Sequence, residues 1–198
     1  MAFLSFIHGS MGTGKSARLI DSYNYFTDTV QDVVRVFKSS IDTRDEGVIH
    51  SRNENYTDIP CETISPTQTF AELLAEGPEP DVILVDEAQF LTEEQVNELS
   101  DIADYQNIGV ACYGLSTDFQ TKLFPGSKRL FELSDCISNL LHDSSYRHVN
   151  ARIGKDGEIL INGFQVEVGA EDKYCAMERK DFKKKLGARA KILFPTKK

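Results

Sequence analysis

Gly9-Ser10-Met11-Gly12-Thr13-Gly14-Lys15-Ser16 satisfies the pattern G-x-x-x-x-G-K-[ST] in full. An apolar run, Phe3-Leu4-Ser5-Phe6-Ile7, precedes it and reads as a buried strand. Ala17-Arg18-Leu19-Ile20 follows and reads as the first turn of a helix. Strand, glycine-rich loop and helix in that order are the context of a P-loop. The glycines let backbone N–H groups surround phosphate oxygens with no Cβ in the way. Lys15 brings an ammonium to the β- and γ-phosphates, Ser16 offers a hydroxyl to Mg²⁺, and the helix N-terminus adds positive potential. The motif therefore predicts a nucleoside triphosphate site over residues 9–16.

The remainder of the chain reads as alternating strands and helices. Residues 3–8 are expected as the first strand and about 15–28 as the first helix. Val33-Val34-Arg35-Val36-Phe37 forms a β-branched second strand, and the polar segment at about 39–57 reads as a mobile loop. Phe70, Leu73 and Leu74 show helical spacing within 67–75, and Gly77-Pro78-Glu79-Pro80 stops that helix. Asp81-Val82-Ile83-Leu84-Val85 is a continuous apolar strand. Thr92 is expected to cap a helix whose buried face is Val96, Leu99, Ile102 and Ala103. A strand at 108–113 and a short helix at 127–133 follow. Near-continuous apolar strands between helices indicate α/β architecture, a parallel sheet covered on both faces, over residues 1–138. Residues 139–182 read as a small β-rich appendage, with strands at 146–153 and 158–161 around the turn Gly154-Lys155-Asp156-Gly157. Residues 183–198 read as a mobile basic tail.

Charge narrows the partners. The net charge is −9, yet nine of the 22 Lys/Arg residues fall in 179–198 against one acid, Asp181. The rest of the chain holds 13 basic and 30 acidic residues, net −17. An acidic body argues against broad nucleic-acid binding. No apolar run approaches the ~18 residues of a membrane span. Met1-Ala2-Phe3-Leu4 lacks the basic segment of a cleaved signal, so a cytoplasmic protein is expected. Cys61, Cys112, Cys136 and Cys175 lie far apart and read as reduced thiols.

Asp86 ends a buried strand about 70 residues after the glycine loop, where a Walker B acid reaches Mg²⁺ directly or through water. Glu87 places a second carboxylate beside it, able to take a proton from an attacking oxygen. Together the two motifs argue phosphate transfer from a nucleoside triphosphate. They leave open whether the acceptor is water or an alcohol.

Longer strings address that question. Val85-Asp86-Glu87-Ala88-Gln89-Phe90-Leu91, Tyr113-Gly114-Leu115-Ser116-Thr117-Asp118-Phe119-Gln120 and Phe124-Pro125-Gly126-Ser127 together resemble the type II thymidine kinases. Gly9-Ser10-Met11, Asp42-Thr43-Arg44 and Gly169-Ala170-Glu171-Asp172-Lys173-Tyr174 extend the resemblance, in family order, over residues 5–174. The resemblance implies transfer of the γ-phosphate of ATP to the 5′-hydroxyl of thymidine. It implies Glu87 as general base, Arg44 near the phosphates, and Lys15 with the loop amides as phosphate cradle. Ser16 and Asp86 match the Mg²⁺-linked positions, and Gln89 one near the phosphate and carboxylate. Phe90, Leu115, Phe119 and Phe124 match the nucleoside pocket, and Met11 a position against the base. Val166, Val168, Gly169 and Tyr174 match a lasso loop that closes over thymine. A homotetramer and inhibition by dTTP are likewise implied.

The chain departs from the family pattern in two respects. Most relatives hold the lasso on zinc through paired cysteines. Here the corresponding places fall near Leu140 and Asp143, then on Glu178 and Asp181, and no zinc is expected. His142, His148 and Cys175 are too irregularly spaced to replace the cysteines. Hydrophobic packing, or pairing of Asp143, Glu178 or Asp181 with Arg147 or Arg179, is left to hold the lasso. Ser116 stands where many relatives carry arginine. Two other classes remain open, a nucleic-acid-stimulated ATPase and a non-catalytic nucleotide-binding relative.

Overall fold

The computed structural model describes residues 2–45, 47–141, 148–165 and 174–195. β1 (Leu4–Gly9) enters the glycine loop and α1 (Lys15–Asn24) leaves it. Next come β2 (Val34–Ser39), β3 (Val48–Ile49), β4 (Ile59–Pro60), β5 (Glu62–Ile64), α2 (Phe70–Leu74) and β6 (Val82–Asp86). α3 (Glu93–Gln106), β7 (Gly109–Leu115), α4 (Pro125–Leu133) and β8 (Cys136–Leu140) complete the larger part. β9 (His148–Ile153), β10 (Ile159–Leu160), β11 (Tyr174–Glu178), α5 (Arg179–Leu186) and α6 (Ala190–Leu193) make the smaller one.

Among the described residues the main sheet has six strands in the order β5-β2-β6-β7-β1-β8. Every pairing in it is parallel. The strands read as apolar runs because both faces are covered. Leu4, Phe6, Phe37, Ile83, Val85, Val110 and Cys112 pack against Phe70 of α2, Val96, Leu99 and Ile102 of α3 and Leu130 of α4. Val36, Val82, Leu84 and Tyr113 face the other way, onto Leu19 and Ile20 of α1. Alternation along β6, Ile83 and Val85 against Val82 and Leu84, is the period of two of a strand. Each such side chain contributes roughly 1.5–3 kcal/mol on burial. Because the strands run parallel, the ends of β1, β6 and β7 lie along one edge, where a ligand site belongs.

Local chemistry sets the helix ends. Thr92 accepts from Gln95 N, and the Gln95 side chain accepts from Thr92 N, a reciprocal cap at the expected place. Thr69 and Glu72 do the same for α2. The first helix stops being α-helical at Asn24, short of the expected 28. Residues 25–30 continue as a wider turn, with the Thr27 hydroxyl donating to the Tyr23 carbonyl.

Three expectations require correction. The polar segment at 39–57 is not an open loop: β3 and β4 pair as a hairpin, and Ile49 and Ile59 bury beneath it. The parallel sheet extends past 138, since Asn139 and Leu140 still pair with His8 and Gly9. The basic tail is folded through Leu193. α5 carries Phe182 and Leu186 four residues apart, on one helix face. Both insert against Val149, Ala151, Ile159 and Ile161 of the antiparallel sheet β10-β9-β11. The lysines of α5 occupy its solvent side, which is why its sequence reads as a charge run. The expected turn at 154–157 joins β9 and β10, with Gly157 at φ 77°. Hydrophobic packing thus holds α5 to the small sheet; residues 166–173 of the expected lasso lie outside the described residues. Asp143 and Arg147, named for the pairing alternative, and His142 lie outside the described residues.

Candidate active site

The glycine loop curls between β1 and α1 with Gly12 and Gly14 at φ 76° and 79°. Gly9 is required for space, because a Cβ there would meet Thr13 Oγ1 at 2.5 Å and the Leu140 carbonyl at 2.8 Å. Thr13 Oγ1 donates to the Ser10 carbonyl at 3.0 Å and Lys15 Nζ to the same carbonyl at 2.8 Å. Lys15 is 9% exposed. Burial lowers its pKa, Arg44 and Arg52 push the same way, and Glu87 and Asp86 oppose them.

Across the sheet edge, Ser16 Oγ donates to Asp86 Oδ2 at 3.2 Å. Asp86 is buried at the tip of β6, and desolvation, followed by the charge of Glu87, raises its carboxyl to about 7. A hydroxyl and a carboxylate sharing one spot are the hard oxygen donors that Mg²⁺ prefers, so this pair fits the ion. Glu87 follows with φ 50°, the left-handed region, which turns its side chain off the strand line. Its Oε1 accepts from Arg44 Nη2 at 3.0 Å and its Oε2 from Gln89 Nε2. Gln89 Oε1 in turn accepts from Leu115 N at 2.8 Å. The turn at 88–90 is packed by α4, where a Cβ on Gly126 would meet the carbonyls of Leu91 at 2.6 Å and Ala88 at 2.7 Å.

One cavity of about 770 Å³ joins these groups. Met11, Gly12, Gly14, Lys15 and Ser16 form one wall, with Asp86, Glu87, Gln89 and Arg44 beside them. Phe90, Leu115, Phe119, Phe124 and Tyr174 form an apolar recess of the same cavity. Phe90 and Phe124 meet edge to face at 5.8 Å, and so do Phe119 and Tyr174 at 6.5 Å. Of the predicted residues, Gly9, Ser10 and Thr13 belong to the loop but do not line the cavity. Val166, Val168 and Gly169 lie outside the described residues.

Several residues in the cavity or behind it carry no motif and were not anticipated. Asn150, on β9, accepts from Met11 N at 2.8 Å through Oδ1 and donates to the Thr117 carbonyl at 2.9 Å through Nδ2. Gln165 donates to Asp118 Oδ2 at 2.9 Å. Arg152 is buried behind the recess, its guanidinium 3.9 Å from the Phe119 ring centroid, and donates to the Tyr174 hydroxyl at 2.7 Å. Lys38, 4% exposed, caps the turn that carries Arg44. A polar residue among apolar neighbours in a strand, as in Val36-Phe37-Lys38, is the signal that could have marked it.

Comparison with known proteins agrees with the geometry. The family profile described as thymidine kinase matches residues 2–182. The chain is 35% identical over 196 residues to a thymidine kinase of Zymomonas mobilis, covering 95% of this chain and 100% of that one. It is 34% identical over 215 residues to one of Legionella pneumophila, covering 100% and 96%. It is 36% identical over 194 residues to one of Haemophilus influenzae, covering 94% and 99%. The chain belongs to the thymidine kinase family.

Proposed function

We propose that this chain transfers the γ-phosphate of ATP to the 5′-hydroxyl of thymidine, giving dTMP and ADP. The observation that carries the reading is the single cavity in which the phosphate loop, the Asp86–Glu87 pair and an aromatic recess meet. Thymidine lies with its base among Phe90, Leu115, Phe119, Phe124 and Tyr174, against Met11, and its sugar toward Glu87. Apolar walls suit the ring and its methyl group. Glu87 accepts the 5′-hydroxyl proton as the oxygen attacks phosphorus, and the β–γ bridging oxygen leaves with ADP. Gln89, bonded to Glu87 and to the Leu115 amide, holds the carboxylate in place.

Lys15 and Arg44 supply the positive charge that the transferring phosphoryl group needs. Lys15 exchanges its bond to the Ser10 carbonyl for phosphate oxygens when ATP enters. Ser16 and Asp86 would hold Mg²⁺, which would neutralise the charge that develops on the phosphates. No structural zinc enters this reading. dTTP joins the base of one substrate to the triphosphate of the other, so it suits the same cavity and acts as an inhibitor. β8 leaves Ile137 exposed at one edge of the sheet, with Leu141 exposed just after it and Phe3 just ahead of β1, a surface for assembly into a homotetramer.

A radiolabel transfer assay with ATP and each of the four deoxynucleosides tests the reading. Label should pass to thymidine and not to the purine nucleosides. ATP turnover that ignores thymidine and rises with DNA would contradict it.

A further inference from the structure

The strongest feature that the reading above leaves unused is Lys38. It is a charged side chain at the end of a central strand, buried to 4% exposure, in register with Asp86 on the neighbouring strand. Its ammonium donates to the carbonyls of Arg44 and Asp45, the latter at 2.8 Å, and reaches the carbonyl of Val48 at 3.5 Å. The Asp42 carboxylate lies 3.8 Å away. That carboxylate also accepts from Arg44 N at 3.2 Å and Arg44 Nε at 2.6 Å. Asp42, Thr43, Arg44 and Asp45 contribute no apolar side chain to the core. The turn that aims Arg44 at Glu87 is therefore built around one buried ammonium instead of hydrophobic packing.

We propose that Lys38 is a positioning residue for phosphoryl transfer, acting through Arg44; the proposal rests on the role given to Arg44 above. Three carbonyls converging on one point repel each other unless a cation sits among them, and only a charged donor with three N–H groups serves all three. Lys38 thus fixes the height and direction of the Arg44 backbone. The Arg44 guanidinium reaches the catalytic carboxylate from that base, 3.0 Å from Glu87 Oε1. Loss of the ammonium frees the turn, and a displacement of about 1 Å at a catalytic group costs about 100-fold in rate.

The test is a double-mutant cycle of Lys38→Met and Arg44→Ala, read as kcat and KM per folded enzyme. Lys38→Met should lower kcat about 100-fold and leave the thymidine KM within about threefold, as for an interaction made only in the transition state. In the Arg44→Ala background Lys38→Met should add nothing, because its effect passes through the arginine. Independent effects would instead multiply. A purely structural lysine would lower the melting temperature while leaving kcat per folded enzyme unchanged. Should Lys38→Met fail to fold, Lys38→Gln keeps an uncharged donor; about a tenfold loss of kcat is then expected, about the fall per 1.4 kcal/mol of barrier, with the same non-additivity. A wild-type kcat in the lysine variant that folds, or multiplying losses, overturns the proposal. A wild-type kcat in Arg44→Ala overturns the role of the arginine first, and the proposal with it.

Discussion

Glu87 holds a backbone conformation that costs a residue with a Cβ about 1–3 kcal/mol. The turn formed by Ala88, Gln89 and Phe90, packed under Gly126, keeps it there. Asp86 beside it illustrates a second cost. Its folded pKa, about 7, lies above the ordinary 3.8. The folded state therefore keeps a proton that the unfolded state releases, and the stability this contributes is complete below about pH 4 and lost as pH rises through 7. Melting of ligand-free enzyme should show this decline. At pH 8, Asp86→Asn should be more stable than wild type by on the order of 1–3 kcal/mol, while losing phosphate transfer. A variant less stable than wild type at pH 8 would refute the buried-charge reading. Gly126→Ala should cost about 1–3 kcal/mol by forcing a Cβ into the Ala88 and Leu91 carbonyls, checked by chemical denaturation.

At the scale of elements, legibility follows the kind of signal. β1 and β6 were legible because continuous apolar runs ending at a glycine loop or an acid pair admit few other folds. The Thr92 cap was legible because its chemistry is local. α5 was not, because only Phe182 and Leu186 among its residues are apolar, and their value depends on a sheet distant in sequence. The wall of motif residues, Lys15, Ser16, Asp86, Glu87 and Gln89, was legible in the site. Lys38 and Asn150 were not, since their roles depend on the register of strands and on carbonyls in other loops. The α5 packing leads to a prediction. Phe182→Ala should cost about 3–5 kcal/mol and raise the thymidine KM more than the ATP KM, since Tyr174 of the recess sits on the sheet that α5 supports. Chelator treatment of wild type should leave its melting temperature unchanged; a stoichiometric zinc in the purified protein would contradict this.

Among the described residues the six-stranded and the three-stranded sheets meet at one cavity, beside the β3–β4 hairpin. The parallel sheet brings the phosphate loop and the carboxylates to its edge, and the antiparallel sheet brings Asn150 and Tyr174 to the same space. Asn150 bonds both the Met11 amide and the Thr117 carbonyl, so it ties the small sheet to the glycine loop and to the segment after β7 at once. Asn150→Ala should lower kcat/KM for both substrates about tenfold, the cost of roughly 1.4 kcal/mol for two buried bonds. A change confined to one substrate would show that the sheets are coupled elsewhere. The central claim, that the carboxylate at the tip of β6 takes the proton of the attacking hydroxyl, is tested most directly by transfer from ATP to thymidine in Glu87→Gln. That variant keeps the shape and the contact with Gln89 but loses the base and the bond from Arg44. A fall in kcat of about 10²–10⁴-fold with ATP binding intact is the predicted result, and a rate close to wild type would contradict it.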